Sequence, residues 1–218
     1  MGELFVLLLP EMIGLAITPG AVAGCVLLLN SQRPVRNAVA FGSAFLLVYT
    51  QIAIAALLGG ATDPGATSKS VSHWAGLVVG LLFIAGGVFL LVRHNQTAQG
   101  PPKWLAQLDN ASTRTAFAIG LALGVINPNV FIMISGMTII ASSSTSIPVA
   151  LTGTVLLLIA AALDFAVPIA IYQLMGDRAR QGLDATKEWM VRNTRMMTIA
   201  VLFGFGALFT VRGLVNLA

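Results

Sequence analysis

Long apolar runs separated by short polar stretches make up almost the whole chain. They lie at roughly Leu4–Leu29, Asn37–Leu58, Trp74–Val92, Thr115–Ala141, Pro148–Leu174 and Met196–Leu214. Each is close to the about twenty apolar residues that a helix needs to cross a bilayer. The pattern predicts six transmembrane helices, spans 1 to 6, with almost no soluble part.

Spans 1 and 4 are interrupted by proline, in Gly14-Leu15-Ala16-Ile17-Thr18-Pro19-Gly20 and in Gly120-Leu121-Ala122-Leu123-Gly124-Val125-Ile126-Asn127-Pro128-Asn129. Pro19 and Pro128 stand 109 residues apart, half of the 218-residue chain, and both segments open with Gly-Leu-Ala. A pair of interrupted hydrophobic segments in corresponding halves is a signature of transporters built from internal repeats. Each proline removes one helical N–H and frees a carbonyl one turn earlier, on Leu15 and on Gly124. Irregular backbone at membrane depth is tolerated where it is buried in protein or lines a cavity. The two breaks therefore point to a binding site.

Composition agrees with an integral membrane protein: 57% of residues are hydrophobic, 9% are charged, and mean hydropathy is +0.89. The charges are unevenly placed. Arg33, Arg36, Arg93, Lys103, Arg114, Arg178, Arg180, Lys187, Arg192 and Arg195 fall on one side of a six-span layout, and Lys69 and Arg212 on the other. The positive-inside rule then puts both termini outside the cytoplasmic membrane. With three spans per half, the halves have inverted topology. The expected fold is all-α integral membrane, six transmembrane helices as two inverted three-helix repeats, in one transmembrane domain over 1–218. Repeat one covers about 1–100 and repeat two about 111–218.

The net charge of +4 follows from this orientation, and its spread over several short loops gives no case for nucleic acid. One cysteine, Cys25, excludes an internal disulfide. It ends Val22-Ala23-Gly24-Cys25, a lipoprotein-like box, but residues 1–24 hold no Lys or Arg for a signal peptide's basic region. A buried thiol facing a neighbouring helix is the better reading. No Gly-rich phosphate loop with its Lys-Ser/Thr is present, so no nucleotide and no other cofactor is expected. His73 and His94 share no metal-site spacing with Cys25.

Smaller signals mark the ends. Ser112 or Thr113 suits a helix cap, and Pro148 suits the first turn of span 5. Asp177–Arg195 carries Leu183, Trp189 and Met190 at helical spacing, which predicts a short amphipathic helix lying on the cytoplasmic face. Gly20/Gly24, Gly76/Gly80 and Gly120/Gly124 allow close helix packing.

Asp164 is the sharpest single residue. It lies deep in span 5, where a carboxylate costs roughly 2.5–3.5 kcal/mol on insertion scales. Pro168, four residues on, frees Asp164's own carbonyl. A proton or cation site is one reading; a hydrogen bond holding two helices together is the other. Asn127 and Asn129, flanking Pro128, either bind substrate or satisfy the broken backbone. Thr18, before Pro19 and Gly20, is expected to bond back to a helical carbonyl. Gln51 is expected to bond across to another helix, with direct substrate contact as the alternative, and Glu11, after Pro10, is either an acid in the first turn after an interfacial segment or a further substrate- or ion-binding residue.

These residues carry a resemblance. Gly14–Gly42, with Thr18-Pro19-Gly20, Val26–Asn30, Arg33, Arg36 and Asn37-Ala38-Val39-Ala40-Phe41-Gly42, resembles the N-terminal half of the LysE exporter superfamily. Within it the likeness is to the peptidoglycolipid-addressing (GAP) branch, also called sulfolipid-addressing proteins. Ala116-Phe117 through Asn127-Pro128, and Arg180–Met190 with Asn193, are similar to that branch's later segments. Two positions depart: Ala21 replaces a frequent second proline, and Asn129 replaces the lysine of the family's Asn-Pro-Lys.

The resemblance implies six helices and export of a lipid or glycolipid toward the envelope of mycobacterial-type bacteria. The leading expectation is a secondary exporter, proton-coupled through Asp164, with the Pro19 and Pro128 breaks lining the substrate path. Export of an amino acid or cation, a non-transporting scaffold for envelope-lipid assembly, and a membrane enzyme are the alternatives. The enzyme reading lacks convergent acids and bases, so no catalytic residue is named. Expected partners are the membrane lipid or glycolipid substrate, a second copy of the chain, and envelope-lipid biosynthesis proteins.

Overall fold

The computed structural model describes residues 2–58, 69–92, 111–143 and 146–217. Among them every regular element is a helix: α1 Gly2–Leu15, α2 Pro19–Leu29, α3 Pro34–Ala56, α4 Lys69–Val92, α5 Thr113–Ile126, α6 Asn129–Ser142, α7 Ile147–Met175 and α8 Asp177–Leu217. Backbone groups that cannot bond to lipid close their bonds within each segment, which is why an apolar chain of this kind folds as helices.

Among the described residues two helices, α3 and α7, are individually long and apolar enough to cross a membrane. Two pairs pass the same test together, α1 with α2 and α5 with α6, each bent sharply at its break, by 51° and 63°. The expected last spans lie within α4 and α8, where shorter apolar stretches run over Gly80–Val92 and Arg195–Val211.

Both breaks have one local cause. The residue before a proline is driven out of the helical region by the ring's Cδ. Thr18 sits at φ −109°, ψ 94° before Pro19, and Asn127 at φ −66°, ψ 130° before Pro128. Proline then restarts the chain as a helix, because its fixed φ suits a first turn. Pro10, by contrast, is carried inside α1 without a break. Glu11 is therefore in the interior of α1 and fully buried, not in a first turn at an interface.

Small residues let the helices approach. A Cβ at Gly120 would overlap the backbone of Phe41, so α5 lies directly on α3, with Gly124 against Phe45 one turn on. Gly80 and Gly206 likewise bring α4 and α8 backbone to backbone. Between α7 and α8 the only connecting residue is Gly176, whose φ of +55° suits glycine. Ser112 caps α5, its hydroxyl accepting from the Thr115 N–H at 3.2 Å. Pro148 lies in the first turn of α7, as expected.

The segment expected as a separate surface helix is continuous with the last span. At 41 residues α8 is about 60 Å long. No proline interrupts Asp177–Leu217, so nothing in the backbone obliges the helix to stop before the apolar stretch.

The core is an aromatic ridge on α3 set against α7. Phe41, Phe45 and Tyr49 recur every fourth residue, and Phe165 lies 5.7 Å and 5.3 Å from the first two ring centres. Tyr49 stands edge-on to Phe45 at 5.4 Å. Asp164 is the residue next to Phe165 and shares its burial.

Candidate functional site

The two breaks, half the chain apart in sequence, meet. Asn129, the first residue of α6, donates its side-chain amide to the Gly14 carbonyl at 2.9 Å and to the Thr18 hydroxyl at 2.8 Å. Asp164 completes the junction from α7, its Oδ1 accepting the Thr18 N–H at 3.2 Å.

These bonds replace the ones that the break removed. In an unbroken helix the Thr18 N–H bonds to the Gly14 carbonyl and residue 19 bonds to Leu15. Here the Thr18 N–H goes to Asp164 and the Gly14 carbonyl accepts from Asn129. The Leu15 carbonyl takes a long 3.4 Å contact from the Thr18 hydroxyl, the back-bond expected of that threonine. Asn127 serves its own break, with Oδ1 accepting the Asn129 N–H at 2.9 Å in an Asx-type turn. Asn127 thus satisfies broken backbone, and Asn129 links the two halves.

The environment is dry. Thr18, Asn129 and Asp164 are each at most 4% exposed, among buried leucine, alanine and phenylalanine. Asp164 also faces the start of α2, where free N–H groups give a positive end that favours an acid. Cys25 and Tyr49 lie within electrostatic range of it. Cys25 is a free, buried thiol 3.9 Å from the Phe165 carbonyl on α7, which matches the expected helix-facing role.

One turn and more toward the N-terminus a second polar contact joins the same helices. Ser135 of α6 donates to Glu11 Oε1 at 3.2 Å. Pro19, Gly20, Asn127 and Pro128 are half-buried at the two elbows, and no atom would crowd a Cβ at Gly20. Gln51 does not join them. It is exposed on α3, because the helix turns its aromatic face inward and carries Gln51 to the opposite side.

Sequence reasoning missed three residues. Ser135 is one. Tyr49 is another, buried with a hydroxyl that has no hydrogen-bond partner among the described residues. The third is Asn37, 1% exposed, which donates to Ser31 and to the Ala111 carbonyl and accepts from Thr113, tying α3 to the start of α5. A polar residue inside an apolar run is the signal they share, and Ser, Asn and Tyr give it more faintly than Asp. Among the described residues no three His, Cys, Asp or Glu side chains gather as a metal site would require.

An all-helical bundle of apolar spans, two of them broken around a buried polar junction, defines an integral membrane protein. The chain belongs to the Sap family: the model described as sulfolipid-1-addressing protein matches residues 8–215. That bears out the resemblance to the sulfolipid-addressing branch. No curated protein and no solved structure matches the chain.

Proposed function

We propose that the protein is a secondary exporter that moves a lipid-linked or glycolipid substrate across the cytoplasmic membrane toward the cell envelope, driven by protons carried on Asp164. A role in lipid export or addressing is what the family indicates. The observation that carries the finer reading is the junction at which an acid, Asp164, and an amide, Asn129, hold two broken spans together. Protonation of a carboxylate that accepts from Thr18 weakens that bond and lets the elbow move; its loss restores the bond. Binding a proton is thereby linked to a change of helix arrangement.

In this reading six spans cross the membrane: α1 with α2, α3, α4, α5 with α6, α7, and α8. They form two inverted repeats with both termini outside. The pairing of the halves rests on the two breaks, at Pro19 and Pro128, standing 109 residues apart. The reaction has no chemical step, so the junction needs no nucleophile or metal.

The test is purified full-length protein in phospholipid vesicles containing a fluorescent-tailed sulfolipid. Imposing a pH gradient should move the probe unchanged to one leaflet, read by an impermeant quencher. Equal quenching with and without the gradient would sink the proposal.

One observation favours a second reading, an addressing scaffold. α8 is about twice the roughly 30 Å thickness of a hydrocarbon core, and its N-terminal part precedes the apolar stretch Arg195–Val211 with Trp189 exposed. A projecting helix suits capture of envelope-lipid biosynthesis proteins. Absence of probe movement, with retained binding of such enzymes, is the outcome that selects it.

A further inference from the structure

Glu11 is as deeply buried as any residue of the bundle, and the junction alone gives it no task. Its place relative to Asp164 can be read from helix register. α1 and α7 run side by side in the same direction, with Leu8 against Gly153 and Thr18 against Asp164. From the Leu8–Gly153 level, Glu11 lies three residues on and Asp164 eleven. At 1.5 Å per residue, Asp164 is about 12 Å deeper from the N-terminal end. α6 runs the opposite way, so that Asn129 meets Thr18 and Ser135 meets Glu11. The two acids therefore sit on two rungs of one ladder between α1, α6 and α7, at different depths.

A buried acid in an apolar bundle marks a functional path by default, and proton relays are built from acids placed in series. Between the rungs stand the Gly14 carbonyl, the Asn129 amide and the Thr18 hydroxyl. The Thr18 hydroxyl accepts and donates on a single oxygen, whereas the Asn129 amide donates from its nitrogen and accepts on a separate oxygen. Other titratable groups are few. α6 has none, α7 adds only Tyr172 two turns below Asp164, and α1 itself adds Glu3 near its start. Cys25 on α2 and Tyr49 on α3 lie within electrostatic range of Asp164.

We propose that the bundle carries two proton sites in series: Glu11, held by Ser135, exchanges protons with the N-terminal side, and Asp164, held by Thr18, exchanges them with the opposite side. When a proton passes from Glu11 to Asp164, one carboxylic acid becomes a carboxylate and one carboxylate becomes an acid. The buried charge of the pair is unchanged, so the step adds no charged group to the apolar interior. The inference rests on the proton-coupled reading for what the proton is used for, and it adds the residue at which the proton enters.

A hydrophobic carbodiimide tests it on the wild-type protein, because the reagent reacts with protonated membrane carboxyls and the adducts are located by peptide mass spectrometry. Labelling is run on right-side-out spheroplasts with the inner pH clamped while the outer pH is varied, and then the reverse. Glu11 labelling should follow the outer pH alone, falling about tenfold per pH unit beyond its titration point. Asp164 labelling should follow the inner pH. Glu11 labelling that ignores both, follows the inner pH, or never occurs overturns the inference and leaves Glu11 a helix-joining acid. Failure of the underlying reading is seen separately, as probe movement in vesicles that does not depend on the pH gradient.

Discussion

The Thr18 N–H donates to Asp164 Oδ1 at 3.2 Å across 146 residues of chain. In a regular helix that N–H points at Gly14. The break before Pro19 is thus held open from outside by side chains of α6 and α7, and each of these is open to a test by substitution.

Asn129→Asp should cost about 1–3 kcal/mol, since it removes the donor to the Gly14 carbonyl and the Thr18 hydroxyl and leaves a buried acceptor unpaired. It also sets a second acid beside Asp164. Thermal melting in detergent should show a clear fall. Asn129→Gln, which keeps the amide on a longer stem, should recover only part of it.

Tyr49→Phe should leave melting unchanged or raise it. The hydroxyl is buried and unbonded among the described residues, so its loss removes a desolvated polar group costing about 1 kcal/mol or more. A lowered melting temperature would mean that a water or ligand group bonds that hydroxyl in the membrane.

Gly120→Ala and Gly20→Ala should differ sharply. The first drives a methyl into the Phe41 backbone, where α5 cannot move without parting from α3. The second meets open space within α2 and gains up to about 1 kcal/mol of helix propensity. The yield of monodisperse protein should collapse for Gly120→Ala and hold for Gly20→Ala.

Arg195 reaches across to the end of α4, donating to the Leu90 carbonyl at 2.8 Å and the Leu91 carbonyl at 3.3 Å. A cation on a helix C-terminus satisfies carbonyls that have no partner within the helix. Arg195→Ala should speed amide hydrogen exchange in the last turn of α4, and Arg195→Lys should restore part of the protection, because an ammonium on a shorter reach replaces the Nη2 that bonds both carbonyls. Unaltered exchange in Arg195→Ala would remove the cap from the account.

What the sequence revealed follows from how each signal is encoded. Proline acts through its own ring on the residue before it, so both elbows, at Thr18 and Asn127, were legible from local chemistry alone. Asp164 was legible because a carboxylate in an apolar run is costly wherever it packs. Which way a polar side chain faces depends on the rotation of its helix, and that is set by partners far along the chain. Gln51 was misplaced for this reason, since the ridge of Phe41, Phe45 and Tyr49 turns it outward. Asn37 and Ser135 were missed for the same reason: their partners lie 74 and 124 residues away. The Asp177–Arg195 segment was read from its charge and helical spacing, which mark an amphipathic helix but not its continuity with the apolar stretch that follows in α8.

Asp164→Asn separates the two roles that this residue can hold. Asparagine keeps the size and an Oδ1 acceptor for the Thr18 N–H, so the elbow and the fold should persist, with melting within about 1–2 kcal/mol of wild type. What it lacks is a site for an exchangeable proton and the negative charge at the start of α2. In vesicles with a fluorescent-tailed sulfolipid, wild-type movement should rise with an imposed pH gradient. The variant should move the probe at a low rate that the gradient does not change. Asp164→Glu supplies the control, returning a titratable group on a stem one methylene longer, and it should restore part of the gradient dependence. If the asparagine variant responds to the gradient as wild type does, the carboxylate is a helix-joining hydrogen bonder and the coupling proton binds elsewhere. Should the variant melt far below wild type, the glutamate variant decides, because gradient dependence regained with the acid ties coupling to ionisation, not to packing.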